Sequence, residues 1–96
     1  MMVLVSYDVS TASEGGARRL RRIAKICQSY GQRVQFSVFE VEVDPARWVS
    51  IKQQLCDLMN PDVDSLRFYF MGSKWQEKVE HIGAKPALDL HGPLVL

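Results

Sequence analysis

No apolar run in this 96-residue chain approaches the length needed to cross a bilayer, and the N-terminus lacks a basic segment followed by a long apolar core. A membrane span and a secretory leader are therefore not expected, and the reading is of a cytoplasmic protein with no membrane partner. Cysteine is scarce. Cys27 and Cys56 sit in separate apolar helical patterns without CxxC spacing, which argues for reduced core thiols and against a disulfide or zinc site. An excess of charge of one sign is missing too: 12 basic against 11 acidic residues leave a formal net charge of +1, so any attraction for nucleic acid must be local. No glycine-rich phosphate loop follows the first strand, since Ser13-Glu14-Gly15-Gly16 lacks the P-loop spacing. No serine stands in a GxSxG elbow. His81 and His91 have no Cys, Asp or Glu at ligand spacing apart from Asp89, too common a coincidence to use.

What is present is a folded composition, 47% hydrophobic and 24% charged, in a chain long enough for one small domain. Met2 to Asp8 reads as a buried strand, because Val3, Leu4 and Val5 leave no polar face before Ser6. Ser10 to Gly16 is a polar loop in which Ser13 suits a helix N-cap and Glu14 lies near the positive end of the helix dipole. From Ala17 the period is helical. Leu20, Ile23, Ala24 and Cys27 form the core stripe, Arg18, Arg21, Arg22 and Lys25 project almost opposite, and Gly31 offers a left-handed stop after Tyr30.

Arg33 to Val43 is β-branched and aromatic, hence strand, but its apolar phase changes partway. That change predicts a bulge or tight reversal around Ser37 to Phe39, although no Gly or Asn marks a turn there. Asp44-Pro45 opens a second helix, with Trp48, Ile51, Leu55, Leu58 and Met59 on its apolar face until Asn60-Pro61 ends it. Ser65 to Met71 alternates again as a strand, Gly72-Ser73 suits a turn, and Lys78 to Ile82 suits a further short strand. The order predicts an α+β, ferredoxin-like βαββαβ sandwich with two helices on one face of an antiparallel sheet. It spans residues 1–83, with 84–96 as a C-terminal tail ending on the apolar Leu94-Val95-Leu96.

Two local features could carry chemistry. Asp8 ends a buried strand, where a carboxylate either caps the following loop or holds a hard cation. One carboxylate cannot fill a magnesium shell, so the second reading requires water, substrate phosphate or a second copy of the chain, and points to a symmetric dimer. The stripe of Arg18, Arg21, Arg22 and Lys25 contains no acidic residue to relieve its self-repulsion. It is either a solvated face or a phosphate-binding one, and Arg33 could join it. Tyr7 and Ser10 can orient phosphate or serve packing and backbone capping. Phe39, Trp48 and Trp75 can stack on bases, but packing is the commoner use of each.

With Tyr7-Asp8-Val9-Ser10, the RRLRRIAK helix, the YGQRVQFSVFEVEV stretch and the DSLRFYF strand in view, the chain resembles the CRISPR-associated protein two family. These are small ferredoxin-like subunits of the prokaryotic spacer-acquisition machinery. The resemblance implies a homodimer that brings two Asp8 carboxylates to the subunit interface with one Mg2+ ion between them. It implies a C-terminal segment that crosses to extend the partner's sheet. It further implies metal-dependent endonucleolysis of single-stranded RNA or double-stranded DNA, varying between members, and a shared role in bridging two dimers of the CRISPR-associated integrase on foreign DNA. By position, Tyr7 and Asp8 match the family's active-site pair, Ser10 its nearby polar residue, and Arg33 and Phe39 its second-strand site. Arg18, Arg19 and Arg22 match the first-helix arginines only approximately, because the preceding loop varies in length; Arg21 and Lys25 extend that basic surface. A non-catalytic DNA-binding scaffold and a toxin-like ribonuclease are the alternative functions.

Overall fold

Alternation along the first strand sets the layers. In the computed structural model, which describes residues 1–71 and 79–84, β1 (Met2–Asp8) buries Val3, Val5 and Tyr7 on one side and leaves the intervening residues less covered. It lies at the centre of a five-stranded sheet, paired antiparallel with β3 (Val38–Glu42) on one side and β4 (Ser65–Met71) on the other. The edges are β2 (Gly31–Gln35) beside β3 and β5 (Val79–Gly83) beside β4, giving the order β2-β3-β1-β4-β5. Helices α1 (Gly16–Tyr30) and α2 (Pro45–Leu58) supply Ile23 and Cys27, and Trp48, Ile51 and Leu55, to the same core as Val3, Val5 and Tyr7. Both helices therefore cover one face, as the ferredoxin-like expectation requires. Each fully buried aliphatic or aromatic side chain of that core contributes about 1.5–3 kcal/mol.

The second helix begins as its sequence dictates. The Asp44 carboxylate accepts from the Arg47 N–H at 2.7 Å, and Pro45 occupies the first turn. Trp48 packs edge-on against Phe68 and Phe70, with centroids 5.0 and 5.8 Å away, so it is a core residue and offers no face to a base.

Two local expectations are corrected. The cap of α1 is Gly15 in a left-handed conformation, φ 74°, with no side-chain cap and no acidic residue in the first turn. Ser13 is used otherwise: its hydroxyl donates to the Ser10 carbonyl at 2.7 Å and accepts from Arg19. Gly31 is extended and opens β2 directly, so it does not end α1 in a left-handed turn. Its value is close approach, because a Cβ there would collide with the Glu40 carbonyl of β3. The expected tight reversal between β2 and β3 forms at Phe36-Ser37, overlapping the predicted window at Ser37, with an irregular register between Arg33 and Gln35. The last described strand, Val79–Gly83, contains Val79 to Ile82 of the expected one, and Lys78 lies outside the described residues. The Gly72-Ser73 turn, Trp75 and the chain beyond Ala84, with its expected crossing to a partner, lie outside the described residues.

One end of this sheet is pinned by a fully buried carboxylate that the sequence did not single out. Asp64 lies in the connection between α2 and β4 and has no solvent exposure. It accepts from Arg19 Nε at 2.7 Å and Nη2 at 3.3 Å, from the Ser10 N–H at 2.9 Å and from the Asn60 N–H at 2.9 Å. Burial pushes its pKa up, but the Arg19 hydrogen bond and the Asn60 and Ser10 amides outweigh this and hold it below the usual carboxylate value. Its backbone carbonyl accepts from the Ala84 N–H at 2.9 Å. Arg19 is thereby removed from the outward basic stripe. It is about 100° around the helix from Arg18 and points toward the core side.

Arg19→Ala is expected to cost about 3–5 kcal/mol at neutral pH, because it strands a buried charge. A depressed carboxyl contributes stability above the unfolded-state value of about 3.9 and loses it as pH falls through the folded value. The penalty of the variant should therefore be smaller at a pH of about 3 than at neutral pH, because the parent loses the stability of the pairing progressively as pH falls below the unfolded-state value toward the lower folded one. Urea unfolding of parent and variant at the two pH values measures this, and a penalty independent of pH would rule out the charge pairing as its source.

Candidate active site at the end of the central strand

The chain direction carries most of the singled-out residues to one end of the sheet. There β1 finishes at Asp8, the Ser10 loop leads into α1, the β2–β3 hairpin turns over, and β4 starts opposite Asp8 at Ser65. Asp8 is exposed. The period of two in β1 puts it on the sheet face away from the helices, sharing that side with Ser6 and its register partner Arg67. Tyr7 faces the other way. Its ring stacks against Phe39 at 6.2 Å with an interplanar angle of 21°, and its N–H donates to the Ser37 carbonyl at 3.1 Å.

Arg33 is the register partner of Phe39, and its guanidinium carbon stands 4.9 Å from the Phe39 ring centroid. Its Nη1 donates to the Phe36 carbonyl at 2.9 Å, and the guanidinium is 5.8 Å from the centroid of the Phe36 ring. The structure thus joins Tyr7, Phe39 and Arg33 in one pile on the helix side and sets Asp8 on the opposite face. Phe39 is fully buried within that pile. Ser10 is held through its backbone, donating to Asp64 and accepting from Ser13.

The buried end of the pile is apolar enough to suppress ionisation. Burial raises the Tyr7 hydroxyl, nearby Cys27 raises it further, and Arg33 works against both. Burial pushes the Cys27 thiol up to about 12, against a lowering by its own backbone and by Arg33. A thiol held there is no nucleophile at neutral pH.

Arg18, Arg21, Arg22 and Lys25 are all exposed, and none lies within ion-pair distance of a carboxylate among the described residues. Arg18 enters near the end of the sheet that carries Asp8, while Lys25 lies farther along α1. Among the described residues no group of three or more His, Cys, Asp or Glu gathers to hold a metal ion. Asp8 is an accessible hard oxygen donor of the kind magnesium takes, and its remaining positions suit water, phosphate or a second copy of the chain. Two residues at this end escaped the sequence reading. Asp64 bonds across 45 positions to Arg19, which no local pattern reveals. Phe36 was taken as one more apolar strand residue, although it stands just before the phase change that signals the turn.

A family model described as CRISPR associated protein Cas2 matches residues 1–79. The CRISPR-associated endoribonuclease Cas2 3 of Rhodospirillum rubrum is 64% identical, covering 99% of this chain and 100% of that protein. The CRISPR-associated endonuclease Cas2 of Halalkalibacterium halodurans is 55% identical over 99% of each. A crystal structure of Streptococcus pyogenes Cas2 superposes with a TM-score of 0.70 at 53% identity, covering 86% of this chain and all of that one.

The two thiols should separate in reactivity. Cys27 is fully buried with its pKa near 12, whereas Cys56 is half-buried. Alkylation of the native protein near pH 8 should label Cys56 first and Cys27 only after denaturant is added, since the thiolate is the reacting form. Peptide mass mapping reads this, and early labelling of Cys27 would show that the layer beneath Tyr7 opens.

Proposed function

The chain belongs to the CRISPR associated protein Cas2 family, and on that premise we propose that it is a magnesium-dependent phosphodiesterase of CRISPR adaptation that works as a homodimer. The observation that carries this reading is the position of Asp8: exposed, at the end of the central strand, on the sheet face that the helices leave uncovered. A second copy placed against that face by a two-fold axis brings a second Asp8 to the first, which one chain cannot do alone. The names of the relatives, endoribonuclease and endonuclease, support phosphodiester cleavage, and the substrate classes of this reading are single-stranded RNA and double-stranded DNA.

Asp8 would hold the magnesium ion, which when bound supplies Lewis acidity toward the phosphodiester and a nucleophile at neutral pH. The chain's own contribution is placement. Arg33 presents a guanidinium beside the hairpin tip, anchored through the Phe36 carbonyl, and its planar fork suits phosphate oxygens. Tyr7 and Phe39 keep that guanidinium seated by stacking beneath it. Ser10 is fixed by Asp64, so the loop leaving Asp8 keeps one course.

A second reading has its own support in the exposed stripe of Arg18, Arg21, Arg22 and Lys25. In this reading the dimer is a non-catalytic bridge that holds duplex DNA along the α1 cations while its edges dock the CRISPR-associated integrase. Four cations without acidic partners on one surface suit a run of phosphates.

Asp8→Ala should abolish magnesium-dependent cleavage and leave the dimer folded, since it removes an exposed carboxylate and no core volume. Cleavage assays on metal-stripped and magnesium-restored protein, with light scattering of the same samples, measure both. Undiminished cleavage would place the activity elsewhere and leave only the bridging role. For that role, Arg18→Glu with Arg22→Glu should flatten the salt dependence of duplex binding. Each lost phosphate contact removes about one unit from the slope of log affinity against log salt, and a dimer loses two sets. A slope unchanged across a salt titration would make the stripe an ordinary solvated face.

A further inference from the structure

Among the described residues Phe36 is the most exposed large hydrophobic side chain, at 80%, and it occupies the tip of the β2–β3 hairpin. Neither the turn nor the core explains it. A two-residue reversal favours Gly, Asn or Asp, and the side chain lies mostly outside the core. Its surroundings are ordered for a purpose other than packing. Arg33 spans from the buried Phe39 ring to the Phe36 ring and bonds the Phe36 carbonyl, so the tip is tied down on one side. On the other side the Ser37 carbonyl takes the Tyr7 N–H, which joins the tip to β1 one residue before Asp8. An exposed aromatic face next to a phosphate-matching cation, at the end of the sheet that carries Asp8, is the combination that binds an unpaired nucleotide. The ring stacks on the base and the cation meets the backbone.

We propose that Phe36 is a stacking platform for an unpaired base of a single-stranded nucleic acid, at the same end of the sheet as Asp8. The inference deepens the phosphodiesterase reading and rests on it for its nucleic-acid partner. A base paired within a duplex has both faces covered by its neighbours, so the tip discriminates single strands from duplexes. Arg33 supplies the charge, while Phe36 supplies an affinity that tolerates sequence, because every base has a π-face.

The test is equilibrium binding of the full chain, in chelator and without magnesium, to fluorescent oligonucleotides of one sequence as single-stranded RNA, single-stranded DNA and duplex DNA. Each single strand carries 2-aminopurine, whose emission falls on stacking. Phe36→Ala should weaken single-strand binding by about 5- to 150-fold, the range for loss of one base–aromatic stack. It should restore 2-aminopurine emission and leave duplex binding unchanged. Phe36→Tyr should behave as the parent, and Phe36→Leu should lose affinity as Ala does. A loss confined to RNA or to DNA supports the platform and identifies its source. The proposal is overturned if the parent binds neither single strand, if Phe36→Leu retains full affinity, or if duplex binding falls in parallel. Because no cleavage is read, Asp8→Ala can fail in its own assay without touching this result, and the reverse also holds.

Discussion

The buried ion pair of Arg19 and Asp64 is the constraint on which the functional end of the molecule depends. A carboxylate without solvent contact is tolerable only if its lone pairs are met, and here a guanidinium and two backbone amides meet them. Each partner comes from a different piece of chain: Arg19 from α1, Ser10 from the loop after β1, Asn60 from the end of α2. The carbonyl of the same residue receives the Ala84 N–H past the end of β5. The loop after β1, α1 and the chain past β5 are thus tied to one position beside the start of β4, where Asn60, four residues before Asp64, closes the local turn. Arg19 also bonds the Glu14 carbonyl and the Ser13 hydroxyl, so the loop leaving Asp8 is shaped by the charge that anchors it. Gly16 completes the packing, since a Cβ there would meet the Ser10 carbonyl.

With that end fixed, the period-two alternation of β1 divides the labour between the two sides of the sheet. Val3, Val5 and Tyr7 serve the helices and the core. Asp8 stays on the side that the helices leave uncovered. Adjacent residues of one motif thereby have separate duties: Tyr7 anchors a stacked column that ends at Arg33 and the hairpin tip, and Asp8 is left accessible to whatever covers the uncovered face. The buried half of the column is unsuited to ionic chemistry, as the raised Tyr7 and Cys27 values indicate, so charge at this end is carried by Asp8, Arg33 and the cations of α1.

Much of this was legible in the sequence where local physics decides. The Asp44-Pro45 start of α2, the apolar stripe of α1 and the alternation of Ser65 to Met71 are each fixed by capping or periodicity, and each element forms there. The ferredoxin-like arrangement follows from their order. What was not legible depends on contact between distant segments. Nothing near Asp64 distinguishes it from an ordinary turn acid, and Arg19 differs from its basic neighbours only by its angle on the helix. The hairpin turn was legible only from its change of apolar phase, because Phe36-Ser37 has none of the residues that mark a reversal. Ser13 resembles a cap by type, but the tertiary pull of Arg19 recruits its hydroxyl. The site residues were found as a list, whereas their division between two faces requires the sheet.

The absence of any linker between α1 and β2 has a mechanical consequence. Tyr30 ends the helix and Gly31 already lies against β3, in a place too tight for any side chain. The helix that bears the outward cations and the hairpin that bears Phe36 therefore share one continuous stretch of backbone with no slack between them. A load applied to the hairpin tip is passed to the basic surface without a hinge to absorb it. A strand engaging both would be gripped by a single lever arm, and its displacement at one contact would be felt at the other.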